Sequence, residues 1–264
     1  MVAGLFWIDP AGRQSEADDV FVNYCGKDSY LMEREVWHMR DFYLEKKHER
    51  FDQSGLFSPK FSGKTQITGF QFASFIRKNP DHDVYLINPP DYFIFPYMFY
   101  NIWEHGEACH PGLYEKTNRL LAKAGYDFDV SNMPRMKGIH QTFCNYWAGT
   151  PSFWEGYMQF LAPLMAVVDH DKNADGEFYK LTKYQDGSFC FIPFIFERLL
   201  STYLLLNPSI KAITQPYTIN IANPDVIESI KEIDQLDMIG AAKSEFVTAQ
   251  NKLRQVLNGN KMMR

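Results

Sequence analysis

Glu197 and Arg198 stand side by side within Phe189 to Leu206, the longest apolar stretch of the chain. Pro193 and these two charges interrupt the stretch, so it reads as a buried helix starting near Pro193 and ending near Asn207-Pro208, not as a membrane span. Charges on a helix that is apolar almost all round need partners or a wet cavity. Two readings follow. One is a structural ion pair with a neighbouring element; the other is a site-lining acid beside an arginine that orients a phosphate or a sugar.

A second group is basic. Ser58-Pro59-Lys60 and Gly63-Lys64-Thr65 fall in a Pro- and Gly-marked loop between a candidate strand and a candidate helix. A phosphate-binding P-loop needs glycine where Ser58 stands, and Gly55 is out of register, so the full motif is missing. A looser version survives, in which Lys60 or Lys64 neutralises a diphosphate. The alternative is a pair of solvated surface lysines.

His105, Glu107 and His110 lie within Trp103-Glu104-His105-Gly106-Glu107-Ala108-Cys109-His110, residue types that ligate metals, but in no zinc-binding pattern such as HExxH. Gly106 and Pro111 suggest a loop, in which these groups ligate a metal, hydrogen-bond a polar ligand or serve the structure alone. Asp169-His170-Asp171 has the spacing that can hold a cation against a diphosphate. From Asp171 onward, Asp171, Asn173, Asp175 and Gly176 follow the first half of a calcium loop, but Thr182 stands in place of the bidentate Glu. The stretch is therefore read either as a calcium or other cation site or as a solvated acidic loop, and in both cases as holding no catalytic metal.

Several elements must position these groups. Leu5-Phe6-Trp7-Ile8, Val20-Phe21-Val22 and Gly55-Leu56-Phe57 read as strands, and Asp83 to Asn88, bounded by Asn79-Pro80 and Pro89-Pro90, is the clearest one. Met32, Val36, Met39 and Tyr43 line one face of a helix spanning 31–47. Thr68 caps a helix carrying Phe72, Phe75 and Ile76. Ser152-Phe153-Trp154-Glu155 has capping-box spacing ahead of another helix, which Pro163 should kink or end. Beyond Pro224 a charged helical arm ends in a frayed tail. Strands alternating with helices predict an α/β fold with a mixed or parallel sheet, whose ligands bind at the C-terminal ends of the strands.

With 264 residues and 45% hydrophobic content, the chain can bury one generous core. A net charge of −5 argues against nucleic acid as a partner. The 22 Phe and 15 Tyr supply either an aromatic-rich core or, in addition, flat platforms for sugar rings or a base. Cys25, Cys109, Cys144 and Cys190 show no paired spacing, so they are expected to be reduced and mostly buried. The first residues do not have the pattern of an export signal, which points to the cytoplasm.

Certain residue strings resemble uncharacterised bacterial proteins found with polysaccharide glycosyltransferases: Gly55 to Phe61 with Lys64-Thr65, Asp83 to Pro89, and Asn101 to Glu104 with Gly106-Glu107 and His110 to Leu113. A more distant similarity is to capsule-type and O-antigen glycosyltransferases with a GT-A-like fold, carried by Gly55-Leu56 with Lys60, Asn145-Tyr146 with Phe153 to Tyr157, and Glu197-Arg198-Leu199. That family has His and Arg where Ser58 and Lys60 stand here, and a well-placed DxD that this chain lacks. The resemblance implies a single GT-A-like α/β domain over 1–223, with a mixed, mostly parallel sheet flanked by helices, and a helical arm over 224–264. It implies transfer of a sugar from a nucleotide-sugar donor to a growing bacterial polysaccharide or lipopolysaccharide glycan. The expected catalytic acids are Glu197 and Glu107. The expected substrate-binding residues are Lys60, Lys64, Ser58, Arg198, His105, Trp103 and Asn145. No cofactor is expected, a divalent cation being the exception to watch, and peripheral contact with a membrane is compatible with the reading. A non-catalytic glycan-binding or assembly module is the rival.

Overall fold

The computed structural model describes residues 2–9, 20–172, 176–184 and 187–259. Strand β1 (Ala3–Asp9) pairs in parallel with β2 (Phe21–Cys25) on one side and with β3 (Gln53–Phe57) on the other. Between β2 and β3 lies helix α1 (Glu35–Leu44); after β3 come the short α2 (Phe61–Thr65) and α3 (Gly69–Lys78). Strand β4 (Val84–Leu86) leads into α4 (Phe95–Met98), α5 (Ile102–Cys109) and α6 (Leu113–Lys123). Strand β5 (Trp147–Gly149) then runs antiparallel between β3 and β4, and α7 (Pro151–Lys172) follows it. A separate hairpin, β6 (Leu181–Tyr184) and β7 (Gly187–Cys190), precedes α8 (Phe191–Leu206). Strand β8 (Ala212–Thr214) closes the far edge, parallel to β4. The order is β2-β1-β3-β5-β4-β8, a mixed sheet in which three neighbouring pairs are parallel and the two made by β5 are antiparallel.

The two-residue period of a strand sorts its side chains into two cores. Phe6, Ile8, Leu56, Leu86 and Trp147 face the layer built by α1 and α5 to α8. Leu5, Trp7, Phe57, Tyr85 and Ala148 face Phe61, Phe72 and Ile76 of α2 and α3. The aromatic surplus goes largely into these layers: Trp37, Trp103, Trp147 and Trp154 are all fully buried. Helices α9 (Pro224–Ile239) and α10 (Lys243–Gly259) form the expected arm, folded back on itself, and close a third core with Met98. The frayed tail expected after it, 260–264, lies outside the described residues, as do Asn173 and Asp175 of the calcium-like run. Among the described residues no helix is long and apolar enough to cross a membrane.

Several local expectations need correction. Helix α7 runs through Pro163, which sits on the exposed face, while Tyr157, Leu161, Leu164 and Val168 keep the opposite face buried. Packing on that face offsets the hydrogen bond proline removes. Its first turn is capped not by Ser152 but by Thr150, whose Oγ1 accepts from Phe153 N at 3.1 Å. The 58–65 loop contains α2, because Phe61 is drawn into the core. The segment carrying His105 and Glu107 is helical, since Asn101 Oδ1 accepts from the amides of Trp103 and Glu104 at 3.1 and 2.9 Å. Only Cys190 of the four cysteines is buried; Cys25 lies on an edge strand and is exposed, as is Cys109.

Candidate functional site

Strands β1, β2 and β3 are parallel, so the residues that follow them emerge on one edge of the sheet. A cavity of about 320 Å³ opens there, lined by Ile8, Lys27, Tyr30, Leu31, Arg34, Glu35, His38, Ser58, Pro59, Lys60 and Phe189. Three cations and one carboxylate thus share a small space at the strand ends, where open α/β sheets bind ligands. Lys27 is anchored by Asp41 at 2.6 Å and by the Tyr30 hydroxyl at 3.4 Å. His38 accepts from Lys27 N at 3.0 Å, and its Nδ1 lies 2.9 Å from Arg34 O, so the ring carries its hydrogen on Nδ1. The guanidinium of Arg34 lies 4.1 Å from the centre of the Phe189 ring.

Arg34 holds φ 53° and ψ −135° as the N-cap of α1. A non-glycine residue in that region costs about 1–3 kcal/mol. The same backbone step turns the chain into α1, so that Glu35 and His38 line the cavity.

Because β5 is reversed, the segment entering it arrives on this same edge. That segment is clamped from two sides. From the end of β4, Asn88 donates Nδ2 to Gln141 O at 2.9 Å and accepts from Phe143 N at 2.8 Å. From α8, Ser201 Oγ accepts from Thr142 N at 2.9 Å and Glu197 Oε1 accepts from Cys144 N at 2.8 Å. Glu197 and Ser201 are one helical turn apart, on one face of α8. Cys144 and Asn145 are consecutive residues with left-handed backbones, φ 68° and 49°. The Asn145 Oδ1 atom is buried and has no hydrogen-bond partner among the described residues.

Ser58 joins the two parts, lining the cavity while its Oγ lies 3.2 Å from the Tyr146 hydroxyl. Lys64 is exposed overall, yet its Nζ donates to Cys144 Sγ at 3.4 Å. Burial pulls its pKa down, and the fields of Cys144, Tyr146, Tyr92 and Glu197 outweigh that pull and raise it. Glu197 is the carboxylate among them. Burial, with Glu197 nearby, pushes the Cys144 thiol up to about 12, and burial with Cys144 nearby does the same to Tyr92. Neither ionises near neutral pH, so Cys144 is not a ready nucleophile.

The structure puts Ser58 and Lys60 in the cavity and Lys64 and Glu197 around Cys144, next to Asn145, and sets the other expected site residues apart. Arg198 is 2% exposed and pinned to carbonyls, donating Nε to Ile102 at 3.1 Å and Nη1 to Phe194 at 2.6 Å. Burial lowers its pKa. His105 stacks on Phe95, with centroids 4.6 Å apart, and burial followed by the charge of Arg198 drops its pKa to about 3. Trp103 is fully buried and donates Nε1 to Thr202 Oγ1 at 2.9 Å, so it presents no stacking face. Glu107 accepts from the amides of Gly112 and Tyr114, each at 2.8 Å, which commits both oxygens to the start of α6. Asp169 holds α1 through Trp37 and Arg40, and Asp171 accepts from Phe178 N at 2.8 Å.

Lys27, Arg34, Glu35, His38, Tyr92 and Cys144 were not singled out from sequence. The signal for Lys27 was its place just past a strand end; for the left-handed residues no sequence signal exists. The chain matches no known protein family, no curated protein and no solved structure.

Proposed function

We propose that the chain is a glycosyltransferase with a GT-A-like arrangement, moving a sugar from a nucleotide-activated donor to a growing bacterial polysaccharide or lipopolysaccharide glycan. The observation that carries this reading is the cation-bearing cavity at the ends of β1 to β3, whose lining residue Ser58 bonds Tyr146, next to the turn that Glu197 holds. The acceptor class rests on the resemblance of the residue strings alone.

In this reading Lys60 and Arg34, with Lys27 behind them, supply positive charge to the leaving diphosphate. The sugar projects toward Asn145 and Glu197. In an inverting transfer the Glu197 carboxylate takes the proton of the acceptor hydroxyl, whose oxygen bonds to the anomeric carbon. The bond from that carbon to the phosphate oxygen breaks, and the nucleoside diphosphate leaves with the electron pair. Lys64, whose Nζ reaches Cys144 Sγ in the same turn, adds positive charge on this side of the site.

A panel of nucleotide sugars tested by thermal shift, with and without manganese, addresses the donor. A ligand at 100 times its Kd stabilises the native state by about 2.7 kcal/mol. At least one member is expected to raise the melting temperature and to be consumed when a glycan acceptor is added. If no nucleotide sugar binds, the reading fails. If a donor binds without hydrolysis or transfer, the chain is a non-catalytic module.

A further inference from the structure

The cavity at the ends of β1 to β3 holds more than cations. Glu35 lines it beside Lys60, Arg34 and Lys27, and has no hydrogen-bond or ion-pair partner among the described residues. Neighbouring carboxylates are committed. Glu33 holds Lys172 at 2.7 Å and the Tyr179 hydroxyl at 2.6 Å, and Asp41 holds Lys27 and Tyr30.

A cavity of cations alone accepts any compact polyanion. One that adds a carboxylate repels such a ligand at that wall and calls for a molecule that is anionic at one end and rich in O–H donors at the other. A carboxylate is an acceptor with two oxygens, suited to a pair of adjacent hydroxyls. This is how an acidic residue reads ribose in dinucleotide-binding folds. At about 320 Å³ the cavity lies at the small end of the range for ligand pockets. Ile8, Leu31, Pro59 and Phe189 supply an apolar wall for a base.

We propose that Glu35 binds the ribose hydroxyls of the ligand and makes the cavity selective for ribonucleotides over their deoxy counterparts. This inference rests on the nucleotide-sugar reading of the site. It assigns the diphosphate to Lys60 and Arg34 and the diol to Glu35, so the two ends of the ligand are read by different side chains. The strained Arg34 backbone ties them, because it sets the direction of both residues at once.

Calorimetric titration tests it, using the nucleoside diphosphate of the tightest donor and its 2′-deoxy and 3′-deoxy forms. The intact protein is expected to bind the ribo form at least about tenfold more tightly than either deoxy form, the loss of a charge-assisted hydrogen bond. Glu35→Gln is expected to bring the three within about threefold, while Lys60→Ala weakens all three alike and keeps their ratio. Equal binding of ribo and deoxy forms by the intact protein overturns the proposal and leaves the donor reading standing. So does an unchanged ratio in a folded Glu35→Gln. If no nucleoside diphosphate binds the intact protein, the donor reading falls and takes this proposal with it.

Discussion

Glu197 has one oxygen for each of two tasks, and two substitutions separate them. Oε1 accepts from Cys144 N at 2.8 Å, while Oε2 lies 3.8 Å from Arg198 Nη1, beyond hydrogen-bond reach. At 3.8 Å and an effective dielectric of about 20 the Coulomb attraction is roughly 4 kcal/mol. Glu197 is 28% exposed, so solvent screens part of that, and the carbonyls holding Arg198 remain in any variant. Glu197→Gln keeps an acceptor for Cys144 N and loses only the charge, at an expected cost of about 1–3 kcal/mol. Glu197→Ala loses both and releases the left-handed turn, at about 3–5 kcal/mol. Urea denaturation followed by circular dichroism gives these differences directly. Donor consumption, measured well below either melting temperature, should fall by about 10²-fold or more in both variants, the usual loss for a missing general base. Equal stability of the Gln and Ala variants would refute the role of Oε1 in holding the turn. Wild-type turnover in a folded Gln variant would refute the role as base.

Lys60→Ala should leave the melting temperature unchanged and weaken nucleoside diphosphate binding by about tenfold, less at high salt, because an exposed lysine gives charge to the ligand and little to the core; equal affinity in calorimetry sinks the assignment. A Cβ at Gly106 would collide with the Arg198 and Leu113 side chains, so Gly106→Ala should destabilise by about 1–3 kcal/mol, read as a lower urea midpoint. Because the folded-state pKa of His105, about 3, lies below its unfolded value, the neutral ring stabilises the fold above pH 6.5. That stability, roughly 5 kcal/mol at most, drains as the pH falls from about 6.5 toward 3, and a folded His105→Gln should show a shallower fall in urea titrations across that window.

What was legible in the sequence was whatever local chemistry encodes. The apolar run at Leu5 to Ile8 became β1, and Thr68 caps its helix as expected, through a reciprocal capping box that the sequence reading did not name, with Thr68 N donating to Gln71 Oε1 at 2.7 Å. Glu197 was conspicuous because a charge in an apolar helix is costly, and it does face a polar cluster. Arg198 looked equivalent on that criterion, yet one position round the helix it points into the core and bonds carbonyls. Gly106 read as a loop signal, whereas its missing side chain serves close packing against Arg198. The turn at Cys144-Asn145 and the strained Arg34 were invisible, since their backbone angles are imposed by tertiary contacts and not by propensity. Glu35 carried no signal in the sequence; only the convergence of three strand ends shows that it lines the cavity.

The reversed strand β5 also dictates an order of assembly during synthesis. It is the only described strand joining β3 to β4, and it leaves the ribosome after both. Until Trp147–Gly149 emerge, β3 and β4 each present an unpaired edge, the kind of template that recruits a second nascent chain. The late closure is short, three residues long, and depends on contacts distant in sequence, which makes it slow. Its entering segment is fixed later still, because Glu197, which holds Cys144 N, lies on α8 and β8 closes the far edge only after that.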